Sequence, residues 1–341
     1  MARFIGRASR APLIVLLLLL SVARAQAGPE QLYELVGKLV RSDGRPFGRV
    51  NPIVFLQSVL TPFGARTIAN GGEFKFKRLP AGTYTLMIAV PRSGEMTRTV
   101  EVSPSFADSK GKITLTITFE PGHAVAGRTV SATALSIPKS AHDEYLKAQD
   151  RLARNDITGA VAHLKKAVEI APQFAAALNN LGTIAYQSKK YYEAEGYFRQ
   201  AIEQDPDAYD PLVNLGGTLI SMGKVQESLA YNQRAVKVRP EDPLVRAQLG
   251  QVYFFLGQLD AAEAELRKAK ALDPSHFSGP QLVLAEIYRR KKDPRRAVLE
   301  LEEFLKLHPD SSRAAELRRT IRKLQGKDEG IARLPRLKRA G

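Results

Sequence analysis

Residues 179–206, NNLGTIAYQSKKYYEAEGYFRQAIEQDP, hold the pattern that decides the fold. Leu181, Gly182 and Tyr186, then Tyr191, Ala194, Phe198 and Ala201, put apolar or small residues at helical spacing on two segments, and Pro206 stops the second. The arrangement recurs. Pro172, Pro206, Pro240 and Pro274 stand 34 residues apart and Pro309 follows after 35. The columns Leu181, Leu215, Leu249, Leu284 and Ala167, Ala201, Ala235, Ala269 keep the same phase. A fixed period of this length marks stacked helical hairpins, none of which can bury its apolar stripe alone. Small residues at Gly182 and Ala194 let the two helices of a hairpin approach, and Leu181 and Phe198 fill the space between them.

These columns resemble tetratricopeptide repeats. They divide the chain into units 141–174, 175–208, 209–242, 243–277 and 278–311, with 312–325 as a capping helix and 326–341 as a basic, disordered tail. The resemblance implies a right-handed superhelix in which the first helix of each pair lines a concave groove. Carried over residue by residue, that groove receives His142, Tyr145 and Gln149; Asn179, Asn180, Thr183 and Tyr186; Val213, Asn214 and Ile220; Gln248, Gln251 and Phe254; and Glu286 and Arg289. Asn180, Asn214 and Gln248 are expected to form an amide ladder that satisfies the backbone of an extended peptide, since each amide both donates and accepts. The competing role for these amides is pairing between adjacent helices. The family's clamp for a C-terminal carboxylate does not fit, because His142 and Tyr145 stand where its first lysine would be.

Upstream the period changes. Segments 32–41, 50–57, 66–68, 73–77, 83–90, 97–102 and 112–119 are short, rich in Val, Ile, Phe, Thr and Tyr, and separated by Gly, Pro, Asp and Ser, which predicts seven strands of a small sandwich. In 112–119 apolar residues occupy every second place and so share one face. Asn70, Gly71 and Gly72 predict a tight hairpin, and Gly82 a tight turn into the next strand. The blocks 36–40, 43–46, 72–76 and 79–86 resemble carboxypeptidase regulatory-like domains of transthyretin-like fold. The fold class expected is therefore multidomain: an all-β sandwich over 28–120, a linker over 121–140, and an all-α solenoid over 141–325.

Composition is that of a folded chain, 44% hydrophobic and 25% charged. Residues 1–27 read as a signal peptide: Arg3, Arg7 and Arg10 precede an apolar run over 11–22, with cleavage sites after Ala25 or Ala27. An uncleaved anchor is the rival, but a spanning helix needs about 20 apolar residues. The protein is expected to be exported, periplasmic or secreted. With no cysteine it holds neither a disulfide nor a lipidated cysteine. The formal charge is +16, and cleavage removing Arg3, Arg7, Arg10 and Arg24 would leave +12. This suits an acidic partner, an anionic surface or a cell-envelope glycan; nucleic acid is not expected of an exported chain.

His123, His142, His163, His276 and His308 lack metal-ligand spacing, and no nucleophile elbow, phosphate loop or dinucleotide fingerprint is present. No catalytic residue, cofactor or metal is expected, and the chain reads as a non-enzymatic scaffold holding a protein or extended peptide. The alternative is glycan or cell-wall recognition by the sandwich with the repeats as spacer. An enzyme with a site at the domain junction has no constellation to support it.

Overall fold

The structure is a computed structural model and describes residues 31–48, 50–58, 64–91, 93–120, 136–154 and 156–332. The expected signal peptide, most of the linker and residues 333–341 lie outside the described residues.

Among the described residues seven strands form two sheets: β1 (Tyr33–Arg41), β2 (Ile53–Ser58), β3 (Gly64–Ile68), β4 (Glu73–Leu79), β5 (Gly82–Val90), β6 (Gly94–Val102) and β7 (Lys112–Phe119). The orders are β4-β1-β7 and β3-β2-β5-β6, and of these described pairs β1 with β7 runs parallel and the others antiparallel. Inward residues of both sheets, among them Leu35, Leu39, Val54, Leu56, Leu86 and Ile88, share one core, so the unit is a sandwich. Gly71 and Gly72 both take positive φ and close the two-residue hairpin between Asn70 and Glu73, as the sequence predicts.

Gly82 has a different role from the one expected. Its φ is not positive, and a Cβ there would meet only the Tyr84 ring at 3.7 Å. The left-handed residue in this turn is Arg78, and the Tyr84 hydroxyl donates to the Pro80 carbonyl at 2.9 Å to close the corner. Besides the hairpin glycines, the sandwich needs Gly37, where a Cβ would lie 2.0 Å from the Phe74 ring of the neighbouring strand.

Eleven α-helices follow among the described residues. Five hairpins pair α1 (Lys139–Ala153) with α2 (Ile157–Ile170), α3 (Ala175–Gln187) with α4 (Tyr191–Gln204), α5 (Tyr209–Ser221) with α6 (Val225–Val238), α7 (Pro243–Phe255) with α8 (Leu259–Leu272) and α9 (Pro280–Arg290) with α10 (Pro294–Leu307). The capping helix α11 (Ala314–Ala332) buries Ala314, Leu317 and Ile321 against the last hairpin. It runs past the expected end at 325, so residues 326–332 belong to the helix and not to the tail. One glycine at 326 costs a helix only about 1 kcal/mol, and the first proline after it is Pro335.

The three middle hairpins each close on a glycine. A Cβ on Gly182 would lie 2.6 Å from the Phe198 ring, on Gly216 2.6 Å from the Asn232 amide, and on Gly250 2.6 Å from Leu266. Phe198, Asn232 and Leu266 are thus one column, and its middle member is polar. Asn232 is fully buried; its Nδ2 donates to the Ser228 carbonyl at 3.0 Å, while its Oδ1 has no partner among the described residues. An unmade hydrogen bond at a buried carbonyl costs about 1–3 kcal/mol. We expect Asn232→Leu, which copies Leu266 over its glycine, to stabilise the protein by about 1–2 kcal/mol in urea unfolding.

Candidate functional site: the concave groove

The first helices of the hairpins, α1, α3, α5, α7 and α9, carry the residues expected in the groove. Tyr145 of α1 is half-buried against the Phe174 ring, centroids 5.0 Å apart, and its hydroxyl accepts from Asn180 Nδ2 at 3.3 Å. One repeat later Asn214 Nδ2 donates to Asn179 Oδ1 at 3.0 Å. Each bond crosses from a first helix to the first helix before it, 35 residues back. The amides therefore pair diagonally and do not run as the single column Asn180, Asn214, Gln248.

The third step of this pattern is broken. Gln248 of α7 stands one repeat after Asn214, and the residue one repeat after Asn179 is Val213, which offers no acceptor or donor. The Gln248 Nε2 lies 2.8 Å from where a Cβ on Gly217 would be, and its Oε1 is enclosed without a hydrogen-bond partner among the described residues. That oxygen is enclosed, so only a turn of the half-buried Gln248 side chain would offer its unmade bond to a ligand.

The other expected residues divide. Thr183 Oγ1 donates to the Asn179 carbonyl at 2.9 Å, and the Tyr186 hydroxyl lies 3.1 Å from Ser221 Oγ. Burial raises the Tyr145 and Tyr186 pKa values above the ordinary phenol range, so both hydroxyls stay protonated at neutral pH. Gln149 is half-buried beside the Tyr145 hydroxyl. Arg289 is exposed, and Glu286 holds it through two contacts of 2.6 Å. Four residues leave the groove for the core: Gln251 and Phe254 are 7% and 1% exposed, and Val213 and Ile220 are equally buried. Phe254 packs with Val283, Leu284 and Ile287 of the next repeat, with the Arg290 guanidinium 4.1 Å from its ring centroid. Sequence reading missed Ser221 and Gly217; both lie on the α5 face that carries Asn214, and the repeat register marks that face.

The described residues include no group of three or more His, Cys, Asp or Glu able to hold a metal ion. Ser278 Oγ lies 2.7 Å from His276 Nδ1, the geometry of a nucleophile beside a base. Both side chains are buried in the turn between α8 and α9. Burial also pushes the His276 pKa down to about 3, so this pair reads as turn structure.

Family models for the tetratricopeptide repeat match residues 145–209, 185–247, 219–280 and 281–311, and the helix pairs just described coincide with them. Residues 145–311 are tetratricopeptide repeats. Such repeats serve generally as non-catalytic scaffolds for protein–protein interaction. Among solved structures the chain is similar to YrrB, a TPR protein with an unusual peptide-binding site, at 24% identity over 56% of this chain and 100% of that one, TM-score 0.46. It is also similar to MamA from Desulfovibrio magneticus RS-1 at 21% identity over 54% and 98%, TM-score 0.45. A third is pilF of Pseudomonas aeruginosa at 21% identity over 57% and 88%, TM-score 0.48. These likenesses concern the fold alone. No curated protein matches the chain.

Proposed function

We propose that this protein is an exported scaffold whose tetratricopeptide groove holds an extended peptide segment of a partner protein, within the cell envelope or outside it. The observation that carries the reading is the Gln248 amide. Asn180 donates to Tyr145 and Asn214 donates to Asn179, whereas the Gln248 amide, beside Gly217, keeps an unpartnered, enclosed carbonyl. A turn of the half-buried Gln248 side chain out of the helix seam would offer that carbonyl to a peptide backbone N–H. The N-terminal half of the reading, a carboxypeptidase regulatory-like sandwich behind a cleaved signal peptide, rests on the sequence blocks and on the charged and apolar order of residues 1–27.

The test is selection of peptides from a displayed random library on the full chain, followed by affinity measurement. We expect Gln248→Ala to weaken selected peptides at least tenfold while leaving stability unchanged or higher, since the substitution removes an unsatisfied carbonyl. Asn214→Ala should lose stability as well, because it strands Asn179. Equal peptide affinity in wild type and Gln248→Ala would move the site elsewhere.

A second reading has its own observation. Arg318, Arg319, Arg322 and Lys323 form an exposed stripe on α11 with no acid partner among the described residues. Four neighbouring unneutralised cations suit an anionic surface or an acidic cell-envelope glycan.

A further inference from the structure

Strand β6 is an edge strand of the four-stranded sheet, and an edge left open invites pairing with another chain. Here it is covered by the repeats. The Thr99 backbone N–H donates to Asp273 Oδ2 at 2.8 Å, and Arg98 Nη1 donates to the Leu272 carbonyl at 2.5 Å. Leu272 and Asp273 form the turn that joins α8 to α9. Further along, Glu101 Oε2 lies 2.9 Å from His308 Nδ1, and the hydroxyls of Ser103 and Ser105 donate to the two oxygens of Asp310 at 2.7 and 2.6 Å. His308 and Asp310 form the turn that joins α10 to α11.

The spacing explains the match. Residues 273 and 308 occupy one register position in successive repeats, each followed by the repeat proline. The four steps of strand from Thr99 to Ser103 rise about 13 Å, and over that length the strand passes from one inter-repeat turn to the next. The strand therefore lies across the solenoid and meets one turn and then the next. Asp205, at the position of Asp273 two repeats earlier, is only half-buried, whereas Asp273 is 2% exposed. A buried carboxylate needs the donors that β6 brings to it. At the opposite edge of the same sheet β3 touches α1, the first helix of the solenoid.

We propose that the sandwich is a clamp: the β6 edge and the serine loop behind it are a built docking surface for two consecutive repeat turns of this same chain. With β3 against α1, the clamp ties the first hairpin to the last two. It holds the five hairpins at one curvature and closes an edge that would otherwise be open to a second chain. The domain that comes first in the chain thus acts as the brace of the solenoid's far end. This does not rest on the groove's binding a peptide and stands or falls separately from it.

The absence of cysteine makes the test direct. Spin labels on Lys75→Cys in the sandwich and Glu203→Cys in the solenoid, both exposed sites, report the distance between the two units in the full chain. We expect one narrow distance distribution. It should broaden at least twofold in Ser103→Ala/Ser105→Ala and further in Asp273→Ala/Asp310→Ala, with helical circular dichroism unchanged. Thermal unfolding should split from one transition into two in the latter. Should the aspartate variant lose its helices, the serine variant, which alters only the surface of the sandwich, decides alone. A broad distribution in the unaltered protein, or a narrow one that the serine variant leaves untouched, overturns the clamp.

Discussion

Phe198→Ala is expected to lower unfolding free energy by about 3–5 kcal/mol, a large share of the total for a domain. The ring is 1% exposed and fills the space above Gly182 inside the second hairpin. Its contacts extend to Leu212 and Leu215 of the third hairpin, so the cavity would open in the seam between repeats as well as within one. Because stacked repeats share their core with neighbours, the damage should spread from residues 175–208 into 209–242. Urea unfolding monitored by circular dichroism measures the loss, and hydrogen exchange locates it. Collapse of the site around Gly182 would bring the cost toward the lower figure.

Acid is expected to weaken the fold through one side chain. His276 is buried and neutral, its pKa lowered from 6.5 to about 3 because burial disfavours the charged ring. The unfolded chain takes up this proton below about pH 6.5 and the folded protein does not, so the unfolded state binds more protons between 6.5 and 3. Stability is therefore full above 6.5 and falls as pH drops, by about 1.4 kcal/mol per unit, until the folded ring also protonates. At pH 5 the loss is about 2 kcal/mol. The measurement is the urea midpoint from pH 7.5 to 4, in wild type and in His276→Asn, whose profile should be flatter over that window. Parallel profiles would assign the acid sensitivity over that window to groups other than His276. The partners Lys147 and His163 hold the Glu144 carboxyl down to about 2, so its contribution disappears only at more acidic pH.

The solenoid was legible because a 34-residue period repeats one physical requirement: a small residue, its large partner and a terminating proline. The strands were legible for a similar reason. Alternation and turn chemistry are local, and the segment over 112–119 matches β7 end to end. What escaped the sequence is what depends on pairs far apart. Gly37 reads as an ordinary strand residue until Phe74 is laid across it. Gln248 looks like one more rung of a ladder; only the diagonal pairing shows that Val213 deprives it of a partner. Gln251 and Phe254 sit on the helix that lines the groove, yet the stacking of the fourth repeat on the fifth draws them into the core. The contacts of β6 with the last two turns join residues separated by 174 and 207 positions, and no periodicity spans the two domains.

The groove reading is tested most directly by placing a photoreactive amino acid at Thr183 or Gln248, and at Tyr192 as a control, in the full chain expressed in its own cells. Tyr192 is 81% exposed and lies on the second helix of its hairpin, away from the groove. Irradiation followed by mass spectrometry identifies what each position touches. We expect the groove positions to capture one polypeptide segment in common and Tyr192 not to capture it. Capture from Tyr192 alone, with both groove positions silent, would contradict it.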